Sequence, residues 1–80
     1  MISQKEALSC ISKALKIPNA KIKINSSDKD FEEWDSLGHL NILLSLDKIL
    51  KGKVITIKTI AEAYSVKKIL TILKKNKLLK

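Results

Sequence analysis

The sequence predicts an all-α fold, a four-helix bundle with three longer helices, one short third helix and a long first loop. A chain of 80 residues has room for one small domain, which we place at residues 1–80. Two glycines and one proline leave most of the chain free to be helical. Apolar residues make up 45% of the chain and aromatic residues only 4%, so the core must consist mainly of Leu, Ile and Val.

The first helix is expected to begin at a capping box, because Ser3 is followed three residues later by Glu6. Its apolar face repeats at helical spacing through Leu8, Ile11 and Leu15. Pro18 ends this helix by Ile17 at the latest, since the residue before a proline avoids the helical region. The long connection that follows reaches residue 35, and such loops in compact domains are more often functional than idle.

Two segments, residues 21–24 and 53–58, alternate apolar and polar side chains like β-strands. Two short strands would form only a two-stranded ribbon, which is marginally stable. We therefore interpret both segments as loops whose isoleucines enter the core, and we keep a small α+β domain as the alternative fold.

The second helix is expected from Ser36 to about Lys51, with Gly52 ending it in the left-handed conformation. One broad face is expected to enter the core and carries Ile42, Leu43, Leu46, Ile49 and Leu50. A second apolar stripe on nearly the opposite side consists of Leu37, Leu40 and Leu44. This surplus means that the helix is either enclosed by the bundle or offers the stripe to partners.

The last two helices have hydroxyl residues at their expected starts. Thr56 or Thr59 could cap a short helix that extends through Ala63. Ser65 could cap the final helix, whose core face would comprise Val66, Ile69, Leu70 and Leu73.

Charge is distributed unevenly along the chain. Sixteen lysines and eight acidic residues give a net charge of +8, and residues 28–35 hold five of the acids against one lysine. This basic excess makes a small nucleic-acid-binding helical domain the alternative function. The absence of arginine, the lack of stacking aromatics and the acids directly before the second helix argue against it.

Cysteine content and hydropathy exclude several further classes of protein. Cys10 is the only cysteine, so neither an internal disulfide nor a cysteine-based metal site can form, and we interpret it as a small apolar helix residue. No apolar run reaches the roughly 20 residues of a membrane span, and no secretory signal pattern is present. We expect a cytoplasmic monomer, with a role at a membrane surface left open for the lysine-rich residues 67–80.

The residues able to carry chemistry lie where the first loop meets the second helix. Asp35 or Ser36 can serve as the helix N-cap. A phosphate on Ser36 would also be favoured there, because the first turn has unpaired N–H groups and the positive end of the helix dipole. His39 follows one turn later, but no third group, oxyanion hole or Gly-x-Ser-x-Gly elbow accompanies the pair, so we do not expect an enzyme.

The aromatic residues and His39 are interpreted as structural. Phe31 and Trp34 would pin the first loop to the core, and Tyr64 would pack between the last two helices. His39 would lie beneath the loop, since a single histidine without matching ligands does not bind a metal.

The string Trp-Asp-Ser-Leu-Gly-His-Leu at residues 34–40 resembles the attachment motif of acyl and peptidyl carrier proteins. Asp35-Ser36-Leu37 enters an apolar helix near the middle of the chain and after a long first loop, so the resemblance covers essentially the whole chain. It implies a single carrier domain with the four-helix fold of the acyl carrier protein family.

The resemblance also implies the cofactor and the site residues. Ser36 would receive 4′-phosphopantetheine from coenzyme A through a phosphopantetheinyl transferase, and Asp35 would assist this modification. The thiol of the arm, not Cys10, would hold the cargo as a thioester. The apolar stripe would dock partner enzymes through Leu37, Leu40 and Leu44. Expected partners are an acyl- or aminoacyl-loading ligase or adenylating enzyme and a downstream acyltransferase or synthase, with no specific nucleic acid.

The second helix departs from the acidic pattern of many fatty-acid carriers. Beyond Asp35 it offers only Asp47 and adds Lys48 and Lys51. Because charge of the wrong sign suppresses wrong partners, we expect a dedicated carrier in a specialised biosynthetic pathway rather than in bulk fatty-acid synthesis.

Overall fold

Three α-helices form the regular structure in the computed structural model, which describes residues 1–80. They are α1 (Gln4–Leu15), α2 (Ser36–Ile49) and α3 (Val66–Lys75). Short 3₁₀ turns occur at Asn19–Lys21, Asp28–Asp30 and Lys58–Glu62. No β-strand forms, and only two isolated β-bridges are present. The prediction of an all-α fold is therefore confirmed, and the α+β alternative is wrong.

The capping box at the start of α1 forms as predicted. Ser3 Oγ accepts a hydrogen bond from the Glu6 N–H at 3.1 Å, and the Ser3 N–H donates to Glu6 Oε1 at 2.9 Å. The Ser3 backbone N–H, followed by its hydroxyl, lowers the pKa of the Glu6 carboxyl below its usual value. At the other end, Lys16 adopts φ 58° and α1 ends at Leu15, inside the limit set by the proline.

The end of α2 differs from the expected one. The helix ends at Ile49 rather than Lys51, and the left-handed conformation is shared by Lys51 (φ 56°) and Gly52 (φ 81°). Ile49 was expected in the core but is 42% exposed, whereas Leu50 is buried. The buried arc of the helix is centred on Leu46, and Ile49 falls at the edge of that arc.

The predicted short third helix is instead the single 3₁₀ turn at Lys58–Glu62. Neither predicted threonine caps it, because Ile57 occupies the N-cap position without a side-chain hydrogen bond. Its inward residues, Ile57, Ile60 and Ala63, recur every three residues. This spacing matches the three residues per turn of a 3₁₀ helix rather than the 3.6 of an α-helix.

The final helix, α3, begins where the sequence predicts. Ser65 Oγ accepts a hydrogen bond from the Lys68 N–H at 3.1 Å and caps the helix. The predicted core face is fully buried and comprises Val66, Ile69, Leu70 and Leu73.

One cluster of buried apolar side chains joins the three helices. α1 runs antiparallel to α2, because Leu15 lies near Gly38 at one end and Met1 lies near Leu50 at the other. α3 ends at the same end of the molecule as α2, where Leu78 meets Met1. None of the helices has the length and apolar character needed to cross a bilayer.

Only some of the strand-like residues enter the core. Ile22 and Val54 are buried, whereas Ile24 and Ile55 are 46% and 52% exposed. The interpretation of both segments as loops is confirmed, but the expectation that their isoleucines all point inward is wrong.

The first loop is tied to the start of α3 rather than left free. The Val66 N–H donates to the Ser26 carbonyl at 2.9 Å, and the Asp28 N–H donates to the Tyr64 carbonyl at 3.1 Å. These bonds hold the acidic part of the loop against the first turn of α3, directly before it leads into α2.

Candidate functional site

Ser36 is the first residue of α2 and is exposed to solvent. The N-cap position belongs to Asp35, whose Oδ1 accepts a hydrogen bond from the Gly38 N–H at 2.8 Å. The sequence left open which of the two residues caps the helix, and the geometry assigns the cap to Asp35. The Ser36 hydroxyl is therefore not needed to start the helix.

The first turn of α2 suits an anionic group on Ser36. The N–H groups of Ser36 and Leu37 have no acceptor inside the helix, as at any helix start, and the dipole of α2 is positive here. A phosphate ester on the Ser36 oxygen fits this position, since Ser36 is exposed and the adjacent N–H groups are donors. The five carboxylates of residues 28–35 oppose a negative charge and favour an arm that extends away from the loop.

Gly38 allows α2 to begin in close contact with its surroundings. A Cβ added at this position would overlap the backbone carbonyl of Glu33 and lie 3.0 Å from Leu15 Cδ2. The absence of a side chain thus lets the first turn of α2 lie against both the loop before it and the end of α1.

A buried hydrogen-bond relay supports the first turn from beneath. The Trp34 Nε1–H donates to His39 Nδ1 at 3.1 Å, and His39 Nε2 lies 3.0 Å from the Ile60 carbonyl. An indole nitrogen only donates and a carbonyl only accepts, so Nδ1 must accept and Nε2 must carry the proton. The relay fixes one histidine tautomer and joins the first loop, α2 and the last 3₁₀ turn.

Aromatic packing completes this support. The Tyr64 ring stacks on the His39 ring with centroids 4.1 Å apart, and Phe31 is half-buried against the core. His39 itself is 2% exposed. With both ring nitrogens hydrogen-bonded and the side chain buried, His39 is not placed to take a proton from Ser36. The structural interpretation of Phe31, Trp34 and His39 is confirmed. Tyr64 is also structural, but the ring on which it stacks belongs to α2 rather than to the last two helices.

The predicted apolar stripe of α2 is exposed. Leu37 is 65% exposed, and Leu40 and Leu44 are each 47% exposed. At helical spacing the same side continues into Lys48, which is exposed and lies in the last turn of α2. A partner would thus meet an apolar surface next to Ser36 and positive charge farther along the helix.

Asp47 has a structural role that sequence analysis missed. Its Oδ1 accepts hydrogen bonds from the Val54 N–H at 3.0 Å and the Ile55 N–H at 2.9 Å. It therefore holds the turn after α2, and its carboxylate is half-buried. The sequence did contain one signal for this role, since Asp47 is an acidic residue a few positions before the turn that contains Gly52.

Other parts of the surface do not join this site. The largest groove, about 560 Å³, lies between the 3₁₀ turn at Lys58–Glu62 and α3, and none of the predicted site residues lines it. Cys10 is half-buried in α1, where burial raises the pKa of its thiol and leaves less of the reactive thiolate at neutral pH.

The site thus places Asp35, Ser36 and Leu37 together at the first turn of α2, with Leu40 and Leu44 following on the same side. Two features described above, the His39 relay and the role of Gly38, position this turn.

The chain matches no model of a known protein family, no curated protein and no solved structure.

Proposed function

We propose that the protein is an acyl or aminoacyl carrier whose cargo is held as a thioester on a 4′-phosphopantetheine arm attached to Ser36. The observation that carries this proposal is the exposed Ser36 hydroxyl at a helix start that Asp35 already caps. Modification of that hydroxyl would cost the helix no cap. The resemblance of residues 34–40 to a carrier attachment motif supports the same function. The fold would be of acyl-carrier type, with the 3₁₀ turn in place of the short third helix.

The modification is a transfer from coenzyme A in the active site of a phosphopantetheinyl transferase. The Ser36 oxygen bonds to the phosphorus that bears pantetheine, the pyrophosphate bond breaks, and adenosine 3′,5′-bisphosphate leaves with its electron pair. The hydroxyl proton passes to the transferase or to water. Asp35 uses Oδ1 for the cap, which leaves Oδ2 for a cation that accompanies the phosphate. Once attached, the arm supplies a thiol that bonds the cargo.

The apolar stripe would bring Ser36 to its partners. Leu37 lies beside Ser36, and Leu40 and Leu44 lie one and two turns farther along. Full burial of an exposed leucine contributes about 1.5–3 kcal/mol, so three half-exposed leucines can contribute several kcal/mol to a transient complex. Tethering would then raise the effective concentration of the cargo at each partner's active site.

The partners would be a loading ligase or adenylating enzyme and a downstream acyltransferase or synthase. The chain would perform no reaction alone. Lys48, on the docking side, opposes the basic partner surfaces that acidic carriers use. We therefore place the carrier in a specialised biosynthetic pathway.

Intact mass spectrometry tests the proposal. The protein is incubated with coenzyme A, Mg²⁺ and a broad-specificity phosphopantetheinyl transferase, and a mass increase of one phosphopantetheine is expected. Ser36→Ala should show no increase. Ser45→Ala, the same deletion elsewhere in α2, should be modified like the unchanged protein.

Two outcomes would overturn the proposal. Modification of Ser36→Ala would place the arm elsewhere. If none of several transferases modified the folded protein, the proposed carrier function would be excluded.

A further inference from the structure

A shallow groove of about 350 Å³ lies at the end of the molecule opposite Ser36. Three exposed lysines line it, Lys51, Lys53 and Lys77, and no carboxylate does. Two of them, Lys51 and Lys77, follow the ends of α2 and α3 in the left-handed conformation, at φ 56° and 59°. Glycine or asparagine is usual at such positions, and lysine costs more.

Two exposed apolar side chains border the same groove. Met1 is 70% exposed and Ile49 is 42% exposed, while Leu50 and Leu78 form its buried floor. Large apolar side chains that are exposed to water beside several cations are typical of surfaces that bind the interface between lipid headgroups and acyl chains.

We propose that this groove is a binding surface for anionic membranes, with the three lysines on lipid headgroups and the Met1 and Ile49 side chains inserted at the acyl boundary. Charge complementarity selects the occupant: an anionic bilayer offers both the negative charge and the apolar layer that the groove matches. A nucleic acid matches the lysines but not the apolar side chains, and the groove has no arginine or aromatic ring to contact bases.

The charge distribution also sets the orientation of the bound protein. α2 spans about 20 Å, and the five carboxylates of residues 28–35 lie at the end away from the groove. The anionic surface that attracts the lysines repels this segment. The protein therefore docks with Ser36 facing away from the bilayer, and this inference does not depend on what Ser36 carries.

Flotation with lipid vesicles tests the inference. The protein should bind vesicles of phosphatidylcholine with about 30% phosphatidylglycerol and not vesicles of phosphatidylcholine alone, and rising salt should weaken the binding. Each groove lysine should contribute about a fivefold change in partitioning, so the triple Gln variant of Lys51, Lys53 and Lys77 should bind about 100-fold more weakly. The matched control replaces Lys13, Lys21 and Lys68, which lie outside the groove, and should retain most of the binding.

A second pair of variants tests the apolar contact. Ile49→Ser should weaken vesicle binding several-fold, whereas Ile24→Ser, at similar exposure outside the groove, should not. Circular dichroism establishes that each variant is folded. Equal losses in both lysine variants, equal binding to neutral vesicles, or no effect of Ile49→Ser would each overturn the inference. So would binding of a heparin probe as tight as that of vesicles and insensitive to Ile49→Ser, since that result identifies a soluble polyanion as the ligand.

Discussion

Replacing His39 by leucine tests the contribution of the buried relay to stability. The change leaves the Trp34 indole N–H without an acceptor, in a side chain that is 2% exposed. A stranded buried donor costs about 1–3 kcal/mol. The Ile60 carbonyl loses one hydrogen bond but keeps another from the Ala63 N–H at 3.1 Å, so its loss is only about 0.5–1.5 kcal/mol. Together the two losses come to about 1.5–4.5 kcal/mol.

That loss is large for a domain of this size. An 80-residue domain typically has a free energy of unfolding of about 4–12 kcal/mol. Urea unfolding followed by circular dichroism measures the change in the free energy of unfolding, and the thermal midpoint should fall by at least about 6 °C. His39→Gln is the matched control, because its amide has one acceptor and one donor and should recover part of the lost stability.

Two results would refute a stabilising role for these buried hydrogen bonds. One is a free energy of unfolding for His39→Leu within about 0.5 kcal/mol of that of the unchanged protein, with the same dependence on urea. The buried hydrogen bonds would then make no net contribution to stability. If His39→Gln is as unstable as His39→Leu, the stacking and shape of the imidazole matter rather than its hydrogen bonds.

Five further substitutions, one pair and three single changes, test the geometry. Asp35→Ala should lower stability by about 1 kcal/mol through the lost cap, whereas Ser36→Ala should leave thermal unfolding nearly unchanged; the reverse order would show that Ser36 caps the helix. Gly38→Ala should destabilise the protein by more than about 2 kcal/mol in urea, since its methyl group would overlap a backbone carbonyl, and a neutral result would contradict the close packing. Leu37→Asp should spare thermal stability but impair loading by partner enzymes, while a large loss of stability would place this side chain in the core. The pKa of the Glu6 carboxyl is lower in the folded state, so the ionised carboxylate stabilises the fold above the usual pKa of 4.5, and this stabilisation is lost as pH falls through the folded pKa. Glu6→Gln should therefore lose less stability than the unchanged protein between about pH 5 and about pH 3 in urea unfolding. Equal losses in the two proteins would contradict this.

Local signals in the sequence predicted the helices well. The caps at Ser3 and Ser65 depend on residues three positions apart, and such spacing is visible in a sequence. Helical periodicity also places Leu37, Leu40 and Leu44 on one stripe opposite the core face, but only the packing of the bundle shows that this stripe is exposed.

Features that depend on distant contacts were not predicted. The Asp47 carboxylate holds backbone groups seven and eight residues away, and His39 pairs with a carbonyl 21 residues away. The 3₁₀ turn is another case, because a threonine before an apolar run is a common helix signal and only packing in the core selects the tighter spacing. At the candidate site, the sequence identified the residues, but the choice of Asp35 as the cap required the geometry.

The β-bridge between Ile2 and Leu79 holds residues 1 and 80 close together. The Ile2 N–H donates to the Leu78 carbonyl at 3.0 Å, and the Lys80 N–H donates to the Ile2 carbonyl at 2.8 Å. A short linker from residue 80 to residue 1 would therefore fit the fold, with the chain opened instead at the exposed turn around Gly52. In such a circular permutant α3 would precede α1 and α2 would become the last helix, with Ser36 and every core contact kept.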